Sequence, residues 1–98
     1  MECDEKVMPR SIKTATLFER DLKRIMKQGK DDEKLKDAIL VIANVGTLPL
    51  KYKDHALTGK WKHHRECHIK PDWLLIYRLE NERLCLVRTG SHAELFVK

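Results

Sequence analysis

No stretch of this sequence approaches the roughly 18–20 consecutive apolar residues that a membrane-spanning helix requires, so no such helix is expected. Its opening segment, MECDEKVMPR, lacks the hydrophobic centre of a secretion signal, and export is not expected. The three cysteines, Cys3, Cys67 and Cys85, include no C-x-x-C pair, which points to reduced thiols and a cytoplasmic location. Internal repeats and low-complexity tracts are missing too. What remains is a chain of 98 residues, enough for one domain with a single modest core. An apolar content of 42% lets it fold, and a charged content of 36% gives it a heavily charged surface.

The charge is unevenly placed. The net value is +5, but residues 1–46 carry ten Lys/Arg against nine Asp/Glu. Residues 47–98 carry ten against six and hold all five histidines. The densest part, 51–70, has six basic residues, two acidic ones and four histidines. Such a patch suits a polyanion, either nucleic acid or an acidic protein partner, although a solvated basic loop has the same composition.

Ser11–Ala15 reads as a short first strand. Thr16 and Glu19 have capping-box spacing, and Phe18, Leu22, Ile25 and Met26 follow at i, i+4, i+7 and i+8, which predicts an amphipathic helix ending at Gly29. Asp31 or Asp32 can cap a second helix with the stripe Leu35, Ala38, Ile39, Ile42 and Val45, stopped by Gly46. The short connection makes the pair an antiparallel hairpin. Residues 47–64 show no clean period and form a long loop, which Tyr52, Leu57 and Trp61 would pin to the body. Three strand-like runs follow, Arg65–Ile69, Trp73–Leu79 and Arg83–Thr89, with corners at Pro71-Asp72 and Glu80-Asn81-Glu82. Helices first and strands afterwards predict an α+β domain over 11–98, with the hairpin on one face of a mainly antiparallel, twisted sheet of about four strands. Residues 1–10 are expected to be a variable N-terminal extension.

Strand alternation puts Trp73, Leu75, Tyr77 and Leu79 on one face and Leu74, Ile76 and Arg78 on the other. It also sets Leu84, Leu86 and Arg88 against Cys85, Val87 and Thr89. Arg78 and Arg88 thus have aliphatic neighbours, and a guanidinium there either reaches the rim, pairs with a carboxylate or meets an anion. His55, His63, His64, His68 and His92 gather toward one end of the sheet together with Asp72. Imidazole titrates near 6.5 and both takes and gives protons close to neutrality. Cleaving RNA through its own 2′-OH needs a base, an acid and positive charge on the phosphate. His and Asp supply the first two and Arg the third, with no metal required.

A zinc site made of His63, His64, Cys67 and His68 is the competing use of the same residues. Cys67 and His68 are adjacent, however, and point to opposite faces of an extended strand. The same objection weakens a Cys-His thiol hydrolase.

The stretches YKDHALTGKW, RECHIKPDWLLIY and RTGSHAELF resemble the YafQ-like branch of the RelE/ParE toxin superfamily. The likeness runs from about Thr47 to Phe96. It implies a RelE-like fold and a bacterial type II toxin, an endoribonuclease that cuts mRNA in the ribosomal A site and is silenced by a cognate antitoxin. By motif, the family's catalytic residues fall on His55, His68, Asp72, Arg88 and His92, and its terminal aromatic on Phe96. Trp73 matches as well and is counted with Phe96, Arg78 and the loop lysines Lys51, Lys53, Lys60 and Lys62 among the RNA-contacting residues. No metal or cofactor is expected. Two rival functions share the fold: a ParE-type poison of DNA gyrase, and an inactive homologue that only binds its antitoxin.

Overall fold

A computed structural model describes residues 10–96 of the chain. The expected extension therefore lies outside the described residues except for Arg10, as does Cys3. Arg10 is already tied to the body: its N–H donates to the Ala43 carbonyl at 3.0 Å and its Nε to the Glu80 carbonyl at 2.9 Å.

The elements run β1 (Ser11–Thr14), α1 (Thr16–Lys27), α2 (Asp32–Val45), β2 (His55–Ala56), β3 (Arg65–Lys70), β4 (Trp73–Leu79), β5 (Arg83–Gly90) and α3 (His92–Leu95). The strands form one sheet in the order β1-β5-β4-β3-β2. β1 lies parallel to β5 and every other neighbouring pair is antiparallel. The α+β architecture agrees with the sequence expectation, but the sheet has five strands where about four were expected. The extra one, β2, is two residues long and carries no alternation to read. It exists because His55 and Ala56 pair with Glu66 and Arg65 of β3.

Both helices cover the same face of the sheet, where Phe18 and Ile25 of α1 and Leu35, Ala38 and Ile42 of α2 meet Trp73, Leu75, Tyr77, Leu84 and Leu86. The predicted stripes hold except at their C-terminal ends. Met26 is 50% exposed and Val45 is 67% exposed. The expected capping box at Thr16 is absent. Ala15 occupies the cap without a side-chain bond, and Glu19 instead accepts from the Thr14 hydroxyl. Asp31 does cap α2, its Oδ1 accepting from the Glu33 N–H at 3.0 Å, and Gly46 closes the helix at φ 91°, where a Cβ would be strained.

The face assignment of β4 holds. Leu74 and Ile76 lie on the side away from the helices, packed with Leu95 and with the half-buried Leu57, Trp61, Val87 and Phe96. In β5 the alternation breaks. A register shift leaves Tyr77 opposite Leu86 but Ile76 opposite Arg88 and Leu75 opposite Thr89. Val87 is the extra residue of a bulge. Thr89, not Arg88, therefore continues the helix-side face after Leu86 and is fully buried. The 47–64 connection is ordered by two 3-10 turns, Leu50–Tyr52 and Gly59–Trp61, with β2 between them. Among the described residues no helix is long and apolar enough to cross a membrane.

Candidate active site

The uncovered face of the sheet carries the histidines. Glu66 and His68 are two residues apart on β3 and so share a face, and β2 sets His55 directly opposite Glu66. Glu66 Oε1 lies 4.0 Å from His55 Nε2, and Oε2 lies 3.6 Å from His68 Nε2. Both are too long for hydrogen bonds, yet close enough to attract a protonated ring. Cys67 points the other way into the core, where burial pushes its thiol up to about 12. A Cys67–His68 ligand pair or thiol catalyst is thus excluded by the strand itself.

His92 arrives from β5. After Gly90 the chain turns into α3, capped by Ser91, whose hydroxyl accepts from the Glu94 N–H while Glu94 accepts from the Ser91 N–H. Gly90 sits at φ 156°, where a side chain is strained, and an added Cβ would also push aside the ends of the Arg24 and Glu94 side chains, each 2.7 Å away. His92 is the first residue of α3, and its ring meets Asp72 at the β3–β4 corner: Nδ1 lies 2.8 Å from Oδ1, and the His92 backbone N–H donates to the same oxygen at 3.1 Å. These bonds hold the Asp72 carboxyl below the usual carboxylate value, with Lys30 adding to the effect. Asp72 is therefore ionised at neutral pH, so Nδ1 of His92 carries the shared proton and Nε2 is left for chemistry.

The rings form a row. His55 and His68 are 6.4 Å apart, His68 and His92 5.9 Å, His92 and Phe96 6.3 Å, and Phe96 and Trp61 6.3 Å. Trp61 continues to His64 at 5.4 Å, while His63 sits in the turn with φ 73°. His55 is steadied from behind, its Nδ1 donating to the Lys53 carbonyl at 2.8 Å. The neighbouring Asp54 accepts from Tyr77 at 2.7 Å and from Arg65 Nε at 3.2 Å. A cleft beside His68 is lined by Lys51, Lys53 and Lys70. Lys60 and Lys62 stand on the turn around Trp61, exposed to solvent.

The chain as a whole matches a known family. Residues 10–97 fit the family model of the bacterial toxin of type II toxin–antitoxin systems, YafQ. The chain belongs to the YafQ toxin family. It is 44% identical over 91 residues to the mRNA interferase toxin YafQ of Escherichia coli K12, covering 92% of this chain and 99% of that protein. The crystal structure of the E. coli DinJ-YafQ toxin–antitoxin complex superposes with a TM-score of 0.84 at 42% identity, over 91% of this chain and 99% of the other. A metal-bound toxin from Helicobacter pylori does so at 0.82 and 45% identity, over 91% and 100%. With the family in place, the site residues divide into those the fold gathers and those it does not.

His55, His68, Asp72, His92 and Phe96 come together on the open face. Trp73 does not. It was expected to touch RNA, but it is 2% exposed, and alternation turns it to the helix side, where Nε1 donates to Thr89 Oγ1 at 2.9 Å. Arg78, expected to contact RNA, and Arg88, expected to be catalytic, are held by different carboxylates. Arg78 pairs with Glu80, whereas Arg88 gives Nε to Asp21 Oδ2 at 2.7 Å and Nη2 to Oδ1 at 3.1 Å. Asp21 and Glu66 are acidic residues that sequence reasoning passed over. Glu66 was within reach, since the i, i+2 rule places it beside His68, but Asp21 lies 67 residues from Arg88 with no local signal.

Glu66, His68 and His92 each offer a ligand atom, and all of these atoms lie within 4.8 Å of one another. One carboxylate and two imidazoles suit Zn²⁺ or Cu²⁺. This donor set differs from the His63, His64, Cys67 and His68 set weighed above.

Proposed function

We propose that this chain is a ribosome-dependent endoribonuclease that cuts mRNA in the A site, arrests translation and is held inactive by a cognate antitoxin. The observation that carries this reading is the Asp72–His92 pair, which presents one oriented imidazole nitrogen beside His68 on an open sheet face. The E. coli relative's name as an mRNA interferase and the DinJ-YafQ complex support it.

In the reaction the substrate's 2′-OH loses its proton to a base and attacks the adjacent phosphorus. The P–O5′ bond breaks, and the leaving oxygen takes a proton from an acid. The products are a 2′,3′-cyclic phosphate and a free 5′-OH. His92 and His68 share base and acid, since each is an imidazole able to do either. Asp72 orients His92, accepting hydrogen bonds from its backbone N–H and from its ring Nδ1. His55 is the third imidazole of the row, with Glu66 between it and His68. Arg88 faces the phosphate's charge. Lys51, Lys53, Lys60 and Lys62 supply salt-sensitive backbone contacts, Arg78 extends the positive surface, and Phe96 stacks on a base. An acidic antitoxin segment would compete for the same surface.

The test is cleavage of one mRNA by the antitoxin-free protein, with and without programmed ribosomes. Cleavage only with ribosomes is expected. Equal rates would make it a general ribonuclease. No cleavage in either reaction, together with a DNA-damage response on induction, would favour a gyrase poison.

A further inference from the structure

Asp21 is a buried acid that the proposed chemistry does not use. It lies on α1, is 2% exposed, and collects donors from two successive residues of β5: Arg88 through Nε and Nη2, and Thr89 through its backbone N–H at 3.1 Å. Burial alone would push its carboxyl up. The bonds from Arg88, Thr89 and Arg24 outweigh that and hold it below the usual value. Arg88 and Thr89 directly follow the bulge at Val87, where the register with β4 shifts before pairing resumes at Ile76–Arg88 and Leu75–Thr89, and they lie past Leu86, the last residue of β5 that β1 pairs. Arg24 extends the contact. Nη1 donates to Asp21 at 2.9 Å, Nη2 donates to the Thr89 carbonyl at 3.1 Å, and Nε lies 3.1 Å from Glu94 Oε2 without hydrogen-bond alignment.

We propose that Asp21 is a positioning residue for the phosphate-binding arginine, gripping Arg88 along its Nε–Nη2 edge and leaving Nη1 to the scissile phosphate. This rests on the reading of Arg88 as the phosphate's partner. Of the five N–H donors of a guanidinium, Asp21 takes two, so both protons of Nη1 and one of Nη2 stay available. An arginine on a long flexible stem would otherwise have to be ordered during the reaction. A fixed one offers its charge already aligned.

A double-mutant cycle in single-turnover cleavage on programmed ribosomes tests this. Asp21→Asn keeps the side chain's size but loses the charge and half of the grip. In the Arg88 background it should lower the cleavage rate by about 10–100-fold while leaving the half-saturating ribosome concentration unchanged. In an Arg88→Ala background it should cost nothing further. Wild-type rates in Asp21→Asn, or losses that multiply through the cycle, would overturn the proposal. Should Asp21→Asn fail to fold, solvent exchange of the Arg88 Nε–H in the wild type, followed by NMR, still decides: a slow rate is expected, and the rate of a free arginine refutes the grip. Inactive wild-type protein on ribosomes would instead bring down the nuclease reading itself.

Discussion

His92 gives Asp72 two hydrogen bonds on one oxygen, from its backbone N–H at 3.1 Å and from ring Nδ1 at 2.8 Å. The pair joins the corner before β4 to the first residue of α3, so two turns distant in sequence are tied together at the proposed acid–base group. Because the backbone bond fixes the distance between the turns, the ring bond has little freedom left. The imidazole is thereby held in one tautomer, its ring 5.9 Å from that of His68. His92→Ala should lower the cleavage rate by about 10²–10⁴-fold, the usual worth of a positioned proton transfer. Asp72→Asn should also lower it, since an amide does not enforce the tautomer, while melting stays near wild type because both side chains are more than half exposed. Wild-type cleavage by His92→Ala would remove it from the mechanism.

The Asp21 carboxyl titrates below its free value, and the sign of its effect follows. A depressed carboxylate stabilises the fold above its unfolded pKa of about 3.9, and that stabilisation is lost as pH falls through the lower folded value. Urea midpoints of the wild type should therefore fall faster below about pH 4 than those of Asp21→Asn. The variant itself should be about 3 kcal/mol less stable at neutral pH, at the low end for a broken buried pair because the Arg88 side chain keeps 20% exposure. Parallel pH curves for the two proteins would show that Asp21 does not govern acid stability.

The Glu66, His68 and His92 donor atoms predict inhibition by a transition metal, not dependence on one. Added Zn²⁺ should slow cleavage by occupying the two imidazoles. EDTA should leave the metal-free rate unchanged, and Glu66→Gln should weaken Zn²⁺ binding measured by calorimetry. Activity lost to EDTA and restored only by Zn²⁺ would reverse this assignment.

Trp73 should behave as a core residue. In Trp73→Phe the Thr89 hydroxyl keeps its bond to the Leu74 carbonyl but loses the indole donor, and some volume is vacated. The expected loss is about 1–3 kcal/mol in urea unfolding, with ribosome affinity unchanged. Weaker ribosome binding at full stability would return Trp73 to the RNA-facing surface.

The sequence was most legible where the signal is local. The face split of β4, the centres of both helices, Asp31 as a cap and Gly46 as a stop all follow from residues within a few positions of each other. It was least legible where the partner is distant or the period breaks. β2 is too short to show alternation, and Thr16 has the spacing of a capping box while Thr14 holds the actual partner of Glu19. The bulge at Val87 interrupts a run whose pattern reads as continuous, and it exchanged the expected places of Arg88 and Thr89.

The site divides along the same line. The sequence by itself determined which imidazoles and which corner aspartate this protein has, because YKDH, RECHIKPDW and RTGSH carry them in contiguous motifs whose strand and turn preferences are encoded nearby. Only the tertiary structure decided which charges meet. Docking of α1 on β5 brings Asp21 to Arg88 across 67 residues, β2 pairing sets His55 opposite Glu66, and the turn into α3 lays His92 on Asp72 across 20. A carboxylate carries no local preference for one guanidinium over another. That choice is made by packing, which buries Asp21 beside the part of β5 past its last residue paired with β1, where the Arg88 guanidinium and the Thr89 N–H find it as their acceptor.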